Sequence, residues 1–329
     1  MATTRNRSTQ TMLLLAFVLA ALCATSAIAQ SYPARPVRLV VPWAAGGSTD
    51  SIGRILSQKL AEYTGQQWLV DNRGGATGTI GHAFVAKSAP DGYTLLLGTN
   101  STFAIAPYLY KNIAYDTESA FAPITLVAIS PQILSVHPSL PVRSVKDLIG
   151  LARSKPGAIP FSTAGVGATS HLATELLMNL ARIKMTHVPY KGGGPSAQAL
   201  ISGETALSFV DVITALPQAQ AGRLRPVATS TAKRTTLMPD LPTIAESGLP
   251  GFESVTSFGM FTPAGTARDI VARVNREVVR TLGARDVQEK LRAQGIEPAG
   301  TPPEALIEHQ KREMAKWSKV IREQGIKFE

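Results

Sequence analysis

Cysteine is almost missing from this 329-residue sequence: the single one, Cys23, falls within the first thirty residues. The rest of the chain can form no disulfide and do no thiol chemistry, so its stability comes from burial, which about 300 residues can supply. No segment beyond the N-terminal region is apolar over the roughly 20 residues a membrane span needs. There is no run of five or six like charges, and aromatics, only 6% of residues, do not interleave with basic ones, which argues against a nucleic-acid face. None of the five histidines (His82, His137, His171, His187, His309) lies three or four positions from another, and H-E-x-x-H is absent, so no metal site is expected. No G-x-x-x-x-G-K-[ST] occurs. The spacing Gly75, Gly78, Gly81 is not that of a dinucleotide loop, and Gly165-x-Gly167 lacks a third glycine. No cofactor is expected either.

What is present begins with a leader. Arg5 and Arg7 precede an apolar stretch, Met12 to Leu22, and Ala27-Ile28-Ala29 supplies the small residues of a cleavage site. This is the layout of a secretory signal peptide, residues 1–29, cut after Ala29. The alternative of a lipidated Cys23 is disfavoured by Leu22 before it, where a small residue is expected. The net charge is +10, or +8 without Arg5 and Arg7, and it is scattered, giving a modest field favourable to anions. The expected location is the periplasm.

The rest of the chain alternates short apolar runs with helical periodicity. Strands are expected at Val37–Val41, Trp68–Val70 and Thr94–Leu97, then Ile159–Ser162, His187–Tyr190, Thr205–Val210 and Arg225–Thr229. Helices are expected at Ser51–Tyr63, Thr79–Lys87, Ser144–Lys155, Ser170–Leu180, Ser196–Ser202, Thr266–Leu282 and Pro303–Glu323. Such alternation implies parallel sheets with helices on both faces, an α/β fold. Two unusually long extended stretches, Ile124–Val136 and Ser254–Thr262, read as paired connections between two sheets. A cleft would then lie at the carboxyl ends of both.

Three junctions share one composition: Ala44 to Asp50, Gly74 to Thr79, and Thr163 to Ser170. Each is rich in glycine and hydroxyls and opens a helix. Glycine lets the backbone approach a ligand, and the first turn of a helix offers unpaired N–H groups and partial positive charge, a ready site for a carboxylate or phosphate. Ser48, Asp50, Thr79 and Ser170 would also serve as ordinary helix caps. It is the recurrence of the pattern at three strand ends that favours a binding site. Trp43 either packs at a domain edge or walls the ligand. Arg73 and Lys191 flank glycine loops and could approach an anion; pairing with Asp71 is the equal alternative for Arg73. Thr99–Asn100 ends the third strand in the same region. Asp211 ends the strand Leu207–Val210 and points to the cleft, where a ligand amine, a hydroxyl, a water or the next helix would meet it. Ser170, His171 and Asp211 could be imagined as a hydrolase triad, but no G-x-S-x-G elbow supports it. His171 reads instead as a polar contact near the cleft.

Several blocks resemble the Bug (Bordetella uptake gene) family, periplasmic solute-binding proteins of tripartite tricarboxylate transporters. They include VRLVVPWAAGGSTDSIGRIL, VDNRGGATGTIGHAFVAKSAPDGYTLLLG, FSTAGVGATSHLATELL and HVPYKGGGPSAQALISGE. The resemblance implies a two-domain periplasmic-binding-protein architecture of type II-like, Venus-flytrap form with two crossing hinge strands. The expected domains are 30–127 plus 256–329, and 128–255. It implies that a ligand carboxylate is held by Ala44, Gly47, Ser48 and Asp50, by Ala76 and Thr77, by Thr163, Ala164, Gly167 and Thr169, and by Asp211. The sequence departs from the family at Gly74, where proline is frequent, and at Val210-Asp211-Val212, where an Asp-Asn pair is frequent. The expected function is capture of a small carboxylate (a di- or tricarboxylate, an amino acid or an aromatic acid) by a monomer that delivers it to a membrane permease and is not an enzyme. A receptor-linked sensor is the rival reading.

Overall fold

The computed structural model describes residues 32–110, 112–235, 238–323 and 326. The expected signal peptide, residues 1–29, and its expected cleavage site lie outside them. The compact body begins at Arg35.

The first three strands, β1 (Val37–Val41), β2 (Trp68–Asn72) and β3 (Thr94–Thr99), pair in parallel, with β1 central. Between them run α1 (Ser48–Thr64) and α2 (Thr79–Ala86). Helix α1 buries Ile52, Leu56 and Leu60 at helical spacing. Each such side chain contributes about 1.5–3 kcal/mol. It stops at Gly65, whose left-handed φ of 69° closes the last turn.

After β3 the chain makes a π-turn (Ser101–Ile105) and a short helix, α3 (Ala106–Leu109), neither foreseen from the sequence. It then enters β4 (Phe121–Val136), the longest strand. The second half follows: α4 (Val145–Ser154), β5 (Pro160–Thr163), α5 (Thr169–Ala181), β6 (Thr186–Pro189), α6 (Gly193–Ile201), β7 (Leu207–Asp211), α7 (Val212–Gln220) and β8 (Arg225–Thr229). The chain returns along β9 (Val255–Pro263) and ends with α8 (Arg268–Gly283), α9 (Arg285–Ala293), β10 (Glu297–Pro298) and α10 (Pro303–Glu323).

The strand order is β2-β1-β3-β9-β4-β7-β5-β6, with β8 and β10 also paired to β4. Strand β4 belongs to both halves. Its residues Phe121–Pro131 run antiparallel to β9, and Gln132–Val136 pair with β7. Each half has its own apolar core. One gathers Val40, Leu96, Phe103, Phe261, Leu306 and Met314; the other gathers Leu134, Phe161, Leu177, Phe209, Val227 and Phe252. A third cluster, Ile105, Leu109, Leu172, Trp317 and Ile321, joins the two. The two long extended stretches are therefore adjacent antiparallel strands that pass from one half to the other, in a two-domain α/β fold.

Candidate functional site

A cavity lies where the carboxyl ends of β1, β5 and β7 face one another. It has room of about 60 Å³ for the centres of water molecules. Four helices begin at its wall: α1 with Ser48 and Thr49, α5 with Thr169 and Ser170, α6 with Gly193 and Ser196, and α7 with Asp211 and Thr214. The first internal bond of α1 runs from Ser51 N–H to Gly47 O (3.0 Å), so the amides of Ser48, Thr49 and Asp50 have no partner within the helix. Each helix N-terminus carries roughly half a positive charge. Among the described residues, no lysine, arginine or histidine lines the cavity.

Of the residues expected at the site, the structure brings Trp43, Ala44, Gly47, Ser48, Thr99, Ala164, Thr169, Ser170 and Asp211 to this wall. Ala76 and Thr77 line an adjoining cavity of about 240 Å³, together with Tyr110, Tyr190 and Lys191; Trp43 and Ala164 border both.

Six expected residues do not line either cavity, each for a local reason. Asp50 turns back to its own loop and helix, accepting from Gly46 N (3.0 Å) and Arg54 Nε (3.0 Å). Burial pushes its carboxyl up, but the hydrogen bonds from Arg54, Gly46 and Asn72, with the Arg54 charge, outweigh that and hold it below the usual range. Arg73 is held by Asp71 (2.8 Å) and lies over the Phe84 ring (3.7 Å to the centroid). Thr163 is fully buried with its hydroxyl on His187 Nε2 (2.6 Å). Gly167 gives its amide to His171 Nδ1 (3.2 Å). The same bond fixes the His171 tautomer with hydrogen on Nε2, which faces Glu175 (3.3 Å), and the ring stacks on His187 at 4.0 Å. Asn100 is fully buried: its amide nitrogen donates to Val255 O (3.0 Å) and Glu313 Oε2 (2.7 Å), and its oxygen accepts from Thr169 Oγ1 (3.1 Å) and Ser257 N (3.3 Å).

The Ala164 amide, although its residue lines the cavity, donates to Ser170 Oγ (3.1 Å). Ser170 and His171 each serve a loop amide, and Asp211 bonds to Ser48 and Thr256, so the three form no triad.

Direct bonds close the cavity from both sides. Ser48 Oγ donates to Asp211 Oδ2 (2.5 Å), and Thr169 N donates to Ser101 Oγ (2.9 Å). Thr77 Oγ1 donates to Val166 O and lies 2.7 Å from Tyr110 OH, which also reaches Val166 O (2.9 Å). This is a closed flytrap. Burial at the cavity wall raises the Asp211 pKa, an effect opposed by hydrogen bonds from Ser48, Thr256 and Gln132.

Sequence reasoning passed over Gln132, Thr256, Ser101, Ser196 and Ser208, all of which line the cavity. Gln132 and Thr256 carried a visible signal: each is a polar residue inside a long apolar strand. Gln132 lies directly opposite Asp211 in the β4–β7 register.

A family model for the tripartite tricarboxylate transporter family receptor matches residues 52–326. The chain belongs to this family. It is similar to BugT of Bordetella pertussis, 35% identical over 313 residues that cover 95% of this chain and 96% of BugT. Among solved structures it is similar to Rpa4515 of R. palustris with adipate, at 40% identity and a TM-score of 0.88, covering 90% of this chain and 99% of that one. It is also similar to MatC of Rhodopseudomonas palustris with bound malate, at 32% identity and a TM-score of 0.84, covering 88% and 100%. As a receptor of this family the protein is a solute-binding protein and not an enzyme. It is of the periplasmic binding protein class. Among the described residues no helix is long and apolar enough to cross a membrane.

Proposed function

We propose that this receptor captures a small carboxylate in the cavity between its halves, closes over it, and delivers it to the membrane permease of a tripartite transporter. The observation that carries the reading is the convergence of the N-termini of α1, α5 and α6 on a cavity wall that has no cationic side chain among the described residues. An anion gains there from amide donors and helix dipoles alone. The acids held by the two solved relatives, adipate and malate, support the same chemistry.

The ligand touches both halves, so it favours the closed form by its differential affinity for that form. The hinge is assigned to the pair of strands where Ala128–Pro131 of β4 lies against Val255–Phe258 of β9. Domains of 30–127 plus 256–329 and of 128–255 accord with the separate cores. The protein acts as a monomer, exported through a signal peptide cut after Ala29.

Thermal-shift screening against a carboxylate library tests this. A ligand at 100 times its dissociation constant should add about 2.7 kcal/mol of stability. Melting points raised only by neutral sugars or cations would overturn the carboxylate reading.

A further inference from the structure

Donors and acceptors are unevenly placed around the cavity. The helix amides and the buried Nε1 of Trp43, which has no partner, are donors. Opposite in kind are Asp211 and Gln132, which face each other across β7 and β4 and form one patch. Among the described residues, Asp211 is the only ionisable side chain on the wall. Both its oxygens accept hydroxyl hydrogens, Oδ2 from Ser48 (2.5 Å) and Oδ1 from Thr256 (3.3 Å), so it stands as an acceptor. Gln132 hydrogen-bonds toward Asp211 as well, leaving its Oε1 buried with no partner on a residue only 4% exposed.

We propose that the ligand carries, besides its carboxylate, a hydrogen-bond donor (an amino or hydroxyl group) that Asp211 and Gln132 accept. This rests on the carboxylate reading above and specifies the ligand's other pole. Each carboxylate oxygen has a second lone pair to offer, and Gln132 Oε1 has both of its own. A ligand N–H or O–H satisfies these acceptors. A second bare carboxylate would meet the same patch with no cation to offset the repulsion. The two poles also explain how a cavity without a basic side chain could be selective. Donors fix one end of the ligand, acceptors fix the other, and an acid lacking the second group leaves buried acceptors unpaired.

Isothermal titration of the full-length mature protein with matched acids tests the proposal. The pairs are malate against succinate, 2-aminoadipate against adipate, and mandelate against phenylacetate. In at least one pair the donor-bearing acid should bind about tenfold or more tightly than its twin. The malate and mandelate pairs report a hydroxyl, the aminoadipate pair an amine. Asp211→Asn keeps the shape and should shrink that gap to about threefold or less, and Gln132→Met provides a second variant should the first not fold. Equal affinities within every pair, or tighter binding of the unsubstituted twins, would overturn the donor patch and leave the carboxylate reading standing. No binding of any of the six acids would overturn both.

Discussion

Gly47 and Gly167 sit in similar loops before α1 and α5 but are held differently. Gly47 has φ −91° and ψ 175°, ordinary for the residue that caps a helix. A Cβ there would come no closer than 4.0 Å, to Ala44 O. Gly167 has φ +81°, and a Cβ would lie 2.9 Å from Leu109 Cδ1 in the opposite half. In Gly47→Asn the new side chain should bond the first-turn amides of α1 itself. Stability should hold or rise by a few tenths of a kcal/mol. Affinity for a carboxylate should fall by about tenfold, because those amides are then taken. Gly167→Val should cost about 1–3 kcal/mol through its backbone and oppose closure through Leu109. Calorimetry and thermal melts separate the two. Undiminished binding in Gly47→Asn would show that the anion does not rest on α1.

At the scale of elements, α10 is the piece that ties the halves to their connection. Glu313 on α10 accepts from Asn100 Nδ2 (2.7 Å) and Trp317 Nε1 (2.9 Å), and all three side chains are buried. Through Asn100 the helix reaches β9 at Val255 and Ser257 and the start of α5 at Thr169. Glu313→Gln should lose about 1.5–3 kcal/mol of charge-assisted bonding, read from urea unfolding. A loss of less than about 0.5 kcal/mol would show that Glu313 does not organise this joint. Element by element, much of this architecture was legible in the sequence. Val37–Val41 is the strand expected, and Ile124–Val136 and Ser254–Thr262 lie within a few residues of β4 and β9. What escaped notice had weak periodicity or a breaker. Helix α7 contains Pro217, α9 is highly charged with only Val287 and Leu291 buried, and Ser101–Ile105 winds as a π-turn. Within the site, glycine loops marked the strand ends correctly. Composition could not tell which amides in those loops are already taken, as those of Ala164 and Gly167 are. That depends on where Ser170 and His171 turn after folding.

Across the whole molecule, acid should act on both halves in the same pH window. His82 in α2 and His187 in β6 both have pKa values lowered to about 3, His82 by burial and His187 by burial with a further push from His171. The unfolded chain takes up protons near pH 6.5 while the folded rings stay neutral, so stability falls as pH drops from about 6.5 toward 3. At pH 5 the fully buried His82 ring should cost about 2 kcal/mol relative to neutral pH, and the partly exposed His187 ring less. Urea unfolding across that range, with imidazole titrations by NMR, measures this. Either ring titrating near 6.5 in the folded protein would refute its part.

The first half draws Val40 and Leu96 from the early chain and Leu306 and Met314 from α10. Until that last helix is in place, Phe103 and Phe261 lack part of their apolar cover. That half is therefore closed by contacts between the two ends of the described chain, a long-range closure of the kind that slows folding.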